Sequence, residues 1–194
     1  MGLDMYLKAD FYFPAVIQRG GSPSDTKTFH HPIIGSALDA MGLTKPVRTD
    51  FGINDPDFYG SSLQIPLGYW RKASAIHAWF IRNQEQDDCK PIDVGIEELK
   101  ELRTTCQQIL EAGVHPDRLR LADELLPSRA GFFFGPTNLL DPEVWAWYLE
   151  YLRITVGTVE RAIALDCWCT AQNDVLGPSN DNRYSLGFQY YASW

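Results

Sequence analysis

Residues 3–13, Leu-Asp-Met-Tyr-Leu-Lys-Ala-Asp-Phe-Tyr-Phe, alternate loosely between apolar and polar positions, and that period of two predicts a strand. Residues 18–47 hold Gly20-Gly21, Ser22-Pro23-Ser24 and Pro46 around a short apolar stretch, which predicts a long irregular excursion with a short helix at 33–42. Residues 48–54 and 58–65 read as two strands joined through Asn54-Asp55-Pro56-Asp57 as a hairpin. From Pro66 to Asn83 the spacing predicts a helix: positions 69, 72/73, 76 and 80 share one side and 70, 74, 77 and 81 another, so most of its circumference is apolar.

Residues 94–111 form a clearer amphipathic helix, with Ile96, Leu99, Leu102, Cys106, Ile109 and Leu110 as its stripe and Gly113 as its stop. A shorter helix is expected over 117–126, ended by Pro127, followed by Gly131-Phe132-Phe133-Phe134-Gly135 as a short buried strand or a tight aromatic loop. Asp141-Pro142-Glu143 is a helix start, in which Asp caps, Pro fits the first turn and Glu suits the dipole. That helix is predicted to run to about Leu165 with Val144, Trp147, Tyr148, Tyr151, Thr155, Thr158 and Ile163 inward; residues 170–185 read as loop. Residues 186–193 alternate again and should pair with 3–10. The expected fold is α+β: a small antiparallel sheet, its N- and C-terminal strands paired, packed against three or four helices in one domain spanning 1–194.

Composition narrows the function. The chain has 194 residues, 45% hydrophobic and 22% charged, which suits a globular core. A formal net charge of −8 opposes attraction to a phosphate backbone, so nucleic acid is not expected as a general partner. No apolar run is long enough to span a bilayer, and the first residues lack the basic and apolar regions of a secretion signal, so a cytoplasmic location is expected. The four cysteines, Cys89, Cys106, Cys167 and Cys169, match no zinc framework and are expected as free thiols, Cys106 in the core. Neither a metal nor a cofactor is expected. Six tryptophans and nine tyrosines are plentiful for a core of this size, so some are candidates for a ligand.

Arg71 and Lys72 are the most informative pair. At a helix start, after a glycine, two cations are disfavoured by roughly 0.3–1 kcal/mol each, unless an anion sits there to accept both side chains and the free backbone N–H groups. Trp70, Phe133 and Trp194 are the candidate stacking rings, and His77 and Arg82 extend the polar line. The competing reading pairs Arg71 or Lys72 with Asp87, Asp88 or a glutamate. His77 with Asp87-Asp88-Cys89 is either a metal or acid–base group or, preferred here, a buried histidine bonded to a carboxylate. His30-His31 is a surface pair in the excursion, and Asp4 a polar anchor in the sheet. The chain holds no G-x-S-x-G elbow, no phosphate-binding G-x-x-x-x-G-K-[ST] loop, no H-E-x-x-H and no G-x-G-x-x-G.

The Met1-Gly-Leu-Asp-Met-Tyr-Leu7 start, Gly68-Tyr-Trp-Arg-Lys-Ala73 with Ile76-His77 and Trp79-Phe80, Asp87-Asp88-Cys89, Gly131-Phe-Phe-Phe-Gly135 and Tyr191-Ala-Ser-Trp194 together resemble a family of small proteins of bacteria and their phages. Residues 14–60 and 165–186 are longer than the pattern of that family. The resemblance brings no activity with it. A phage setting implies, by analogy, an anti-defence role in which a small host-cytoplasmic protein sequesters a nucleotide immune signal, such as a cyclic nucleotide or a cyclic ADP-ribose variant. The expectation is therefore non-catalytic binding of a small anionic, nucleotide-like ligand by Trp70, Arg71, Lys72, His77, Arg82, Phe133 and Trp194. The alternatives are a small enzyme acting on a phosphorylated metabolite, with His77 as acid–base group beside Asp87 or Asp88, and a protein-interaction module. A homo-oligomer stays open.

Overall fold

The computed structural model describes residues 2–14, 16–18, 27–29, 60–83, 90–113, 115–176 and 183–193. Six strands and four helices lie among them: β1 (Asp4–Pro14), β2 (Val16–Gln18), β3 (Lys27–Phe29), β4 (Gly60–Arg71), α1 (Ser74–Phe80), β5 (Ile92–Val94), α2 (Ile96–Ala112), α3 (Arg118–Leu125), α4 (Pro142–Leu176) and β6 (Ser185–Ser193). Four strands form an antiparallel sheet in the order β4-β1-β6-β5, so the N- and C-terminal strands are neighbours and the fold is α+β. On β6, Phe188, Gln189 and Tyr190 face Val94, Asp93 and Ile92 of β5.

The chain divides into two compact units, one of Met1–Asp10, Gln64–Trp168 and Gly187–Trp194, the other of Phe11–Leu63 and Cys169–Leu186. In the second unit β2 and β3 pair antiparallel, Val16 opposite Phe29. Of the irregular excursion expected over 18–47, Gln18 and Lys27–Phe29 are strand, since valine, isoleucine, threonine and phenylalanine favour extended backbone; its other residues lie outside the described ones. The short helix expected at 33–42 and the strand at 48–54 lie outside the described residues.

In the first unit the strand alternation places Leu3, Met5, Leu7 and Ala9 of the β1 segment, and Phe188, Tyr190 and Ala192 of β6, in the core. Burying a large apolar side chain contributes about 1.5–3 kcal/mol, so this face is a main source of the sheet's stability. Along α2, Leu99, Leu102, Cys106 and Ile109 are fully buried, at the 3.6-residue spacing the sequence predicts. The Gly95 N–H donates to Glu98 Oε2 at its start, and Gly113, at φ 49°, ends it. Helix α3 packs on α2, and Tyr148 of α4 donates to the Leu126 carbonyl just beyond α3. Burial pushes the Cys106 thiol up to about 12 and drives the Tyr148 and Tyr151 hydroxyls upward too.

Two predicted elements are corrected. Helix α4 starts where Asp141 caps it, its Oδ1 accepting from the Glu143 N–H at 2.8 Å. It then continues to Leu176 rather than stopping near Leu165. The polar tail expected as loop is helical because Asn173 has a partner: its Nδ2 donates to the Tyr184 carbonyl at 2.9 Å and its Oδ1 accepts from the Tyr184 N–H at 2.8 Å. The second correction is at Pro66–Asn83. Residues 66–71 belong to β4, and only Ser74–Phe80 is helical. Proline and glycine disfavour a helix there, while tyrosine and tryptophan suit a strand. A Cβ on Gly68 would lie 2.4 Å from Thr158 Cγ2, so glycine lets β4 approach α4 closely. Two residues on, Trp70 points the same way and its Nε1–H donates to Thr155 Oγ1 at 2.9 Å. Arg161 of α4 completes the seam, donating from Nε and Nη2 to the Leu67 carbonyl at 3.0 and 2.6 Å.

Candidate functional site

Because Arg71 ends a strand, the helix-start argument for Arg71 and Lys72 does not apply: α1 begins at Ser74 and has seven residues. The two cations are brought together by another feature. Lys72 is the non-glycine residue with positive φ among the described residues, at 56°. For a side chain with a Cβ this left-handed backbone costs roughly 1–2 kcal/mol, and such strain concentrates at functional positions. The turn is held by backbone bonds. The Lys72 N–H donates to the Leu3 carbonyl at 2.8 Å, the Leu3 N–H to the Phe133 carbonyl at 3.3 Å, and the Ser74 N–H to the Lys72 carbonyl at 2.9 Å.

Its side chain then runs between two glycines. A Cβ placed on Gly2 would lie 2.8 Å from Lys72 Cε and 3.6 Å from Arg71 Nε, and one on Gly135 would lie 3.4 Å from Lys72 Cδ. Gly135, at φ 76°, ends the 131–135 segment, which is a tight aromatic turn in which the Phe134 N–H donates to the Gly131 carbonyl at 3.1 Å. Both cations therefore converge on Gly2. The Lys72 ammonium forms no ion pair among the described residues. Arg71 is 64% exposed, and its Nε stands 4.0 Å from Asp4 Oδ1, a distant and solvated pairing.

Asp4 has a closer partner. Tyr69, two residues before Arg71 on the same face of β4, donates its hydroxyl to Asp4 Oδ1 at 2.6 Å. That hydrogen bond raises the phenol above its ordinary range. Tyr69 opens a row of rings on the outer face of the sheet: its centroid is 5.3 Å from that of Tyr6 on β1, which is 6.3 Å from that of Tyr191 on β6. The three are 50%, 41% and 37% exposed. None was among the residues singled out by sequence. The signal was the alternation of the two terminal strands, which puts Tyr6 and Tyr191 opposite the core face once those strands are paired.

The remaining predicted site residues fall elsewhere. Trp70 is a buried core ring bonded to Thr155, so its indole presents no face to a ligand from outside. His77 is buried, its Nδ1 2.7 Å from the Tyr190 hydroxyl and its ring against Phe134; the carboxylates expected beside it, Asp87 and Asp88, lie outside the described residues. Arg82 lies at the end of α1, 3.6 Å over the Trp79 ring and 3.5 and 3.6 Å from Glu98 and Glu101 of α2, so its charge ties α1 to α2. Phe133 is half-buried and meets the Lys72 turn through its carbonyl. Trp194, Asp87, Asp88, Cys89, His30 and His31 lie outside the described residues. The structure thus brings Arg71 and Lys72 together, with the Phe133 carbonyl joined to their turn through Leu3, and places Trp70 and His77 in the core and Arg82 against α2.

Among the described residues there is no cluster of histidine, cysteine and carboxylate groups able to hold a metal ion, and no helix long and apolar enough to cross a membrane. Comparison with protein-family models, with curated proteins and with solved structures gave no match.

Proposed function

We propose that this chain binds a small anionic, phosphate-bearing molecule at the corner formed by Gly2, Arg71 and Lys72, without altering it. The observation that carries this reading is Lys72, its side chain set between Gly2 and Gly135 by a positive-φ backbone, with no carboxylate paired to its ammonium among the described residues. A lysine on an ordinary surface has no need of a costly backbone conformation. An arginine beside it supplies a planar donor fork for a phosphate. Binding rather than turnover is favoured because His77, the candidate acid–base group, is buried, with its Nδ1 2.7 Å from the Tyr190 hydroxyl. In a phage such binding would withdraw a nucleotide signal from its receptor, in line with the resemblance in the sequence.

Calorimetric titration with ribose 5-phosphate and with inorganic phosphate tests the reading. Charge-assisted hydrogen bonds contribute about 1.5–3 kcal/mol each, so Arg71→Ala with Lys72→Ala should weaken binding at least tenfold. Unchanged affinity in the double variant, or no binding by the parent chain, overturns it. Mass spectrometry of small molecules that copurify with the protein tests the same point from the side of the ligand: recovery in intact form is expected, and recovery of a chemically altered product contradicts binding without turnover.

A further inference from the structure

We infer that the Tyr69–Tyr6–Tyr191 row is a stacking surface for a planar base, so that the guest of the Arg71–Lys72 corner is a mononucleotide rather than a simple phosphate. This inference rests on the phosphate reading above and extends it along β4. Three tyrosines standing side by side across three strands, each between 37% and 50% exposed, form an aromatic strip, and Asp4 and Arg71 stand at its Tyr69 end. Cross-strand ring pairs stabilise a sheet, but that task is met equally by rings under cover; a strip left open to water favours a guest that brings its own flat apolar surface.

Position argues for the base. Tyr69 and Arg71 are two residues apart on one strand face, about 6.6 Å along β4. Both also reach the same Asp4 oxygen, the tyrosine at 2.6 Å and the arginine at 4.0 Å. A molecule with its phosphate on Arg71 and Lys72 therefore extends its remaining atoms over Tyr69 and on toward Tyr6. Charge complementarity sets the class: cations at one end of an aromatic strip fit a compact guest with an anionic end and a flat end. The net charge of −8 argues against a long phosphate backbone, which would meet repulsion everywhere beyond this corner.

The test is a titration of the whole chain with the four common nucleoside 5′-monophosphates and with ribose 5-phosphate, repeated on Tyr69→Ala, Tyr69→Phe and Tyr6→Ala. Stacking on an aromatic side chain changes affinity by roughly tenfold per base. The expected result is that nucleotides bind the parent chain about tenfold more tightly than ribose 5-phosphate does. Tyr69→Ala and Tyr6→Ala should remove that advantage, and Tyr69→Phe should keep it. If the alanine variants retain nucleotide affinity, or nucleotides bind no better than ribose 5-phosphate, the inference is overturned while the phosphate reading stands. If neither ligand binds the parent chain, both fall. A shift in sedimentation of the unliganded protein on Tyr6→Ala, with nucleotide affinity unchanged, would instead assign the strip to contact with a second copy. Far-ultraviolet circular dichroism establishes that each variant is folded, and Tyr69→Phe, which only loses the bond to Asp4, separates the ring from its hydroxyl.

Discussion

The indole N–H of Trp70 donates to the hydroxyl of Thr155 at 2.9 Å, and that hydroxyl in turn donates a hydrogen bond to the Tyr151 carbonyl at 2.7 Å. This chain fastens β4 to the middle of α4 and fixes which residues of β4 face outward. Trp70→Ala should lower the stability of the folded chain by about 3–5 kcal/mol through the cavity it leaves. Thr155→Val should cost about 1–3 kcal/mol by leaving the indole N–H unpaired. Urea denaturation reads both, and a loss under 1 kcal/mol for Trp70→Ala would contradict its core role.

Lys72→Gly separates stability from binding. Glycine accepts a φ of 56° freely, so the roughly 1–2 kcal/mol of left-handed strain is removed, against about 0.5–1 kcal/mol of added chain entropy. The melting temperature should hold or rise while phosphate affinity falls. A clear drop in melting temperature would mean that the lysine stem is needed for folding.

Arg82→Ala should do the opposite. Its stacking on Trp79 and its pairs with Glu98 and Glu101 are partly exposed, so the loss is modest, about 1 kcal/mol in all. Phosphate affinity should stay within twofold of the parent by calorimetry. A large loss of affinity would place Arg82 in the binding site after all.

The buried thiol and phenols give the protein an alkaline limit. Cys106 is pushed up from 9.0 to about 12 by burial. Between those values the unfolded chain has released this proton and the folded chain has kept it. The contribution is therefore whole below pH 9 and is lost as pH climbs through about 12, at up to ~1.4 kcal/mol per pH unit. Tyr148 and Tyr151, raised from 10.0 by burial, add to the loss from higher pH. Denaturation midpoints should stay level up to the ordinary thiol range and fall beyond it. Cys106→Ala should delay the onset of that fall, and an unchanged pH profile would rule the thiol out as its source.

Much of the fold was legible because its strongest elements are amphipathic. The stripe of Leu99, Leu102, Cys106 and Ile109 admits one reading, and the terminal strands announce themselves by alternation. The stretch from Pro66 to Phe80 does not, because its rings satisfy a period of two and a period of 3.6 at once; the closeness of Gly68 to Thr158, a tertiary fact, decides it. The tail of α4 was hidden for the converse reason: its helicity is supported by the Asn173 amide on Tyr184, which polar composition alone does not reveal. Of the candidate site, the two cations were visible as neighbours in sequence. The tyrosine strip was not, since its members come from three strands that meet only in the folded sheet.

The lysine stem wedged between Gly2 and Gly135 carries a consequence for how fast a guest can settle. Among the described residues its ammonium has no resident counter-charge to evict, and much of the rotamer freedom of its four-carbon arm was surrendered when the chain folded. On the proposed reading, an arriving anion would meet a charge already in place, and capture would not wait for that lysine to leave an ion pair.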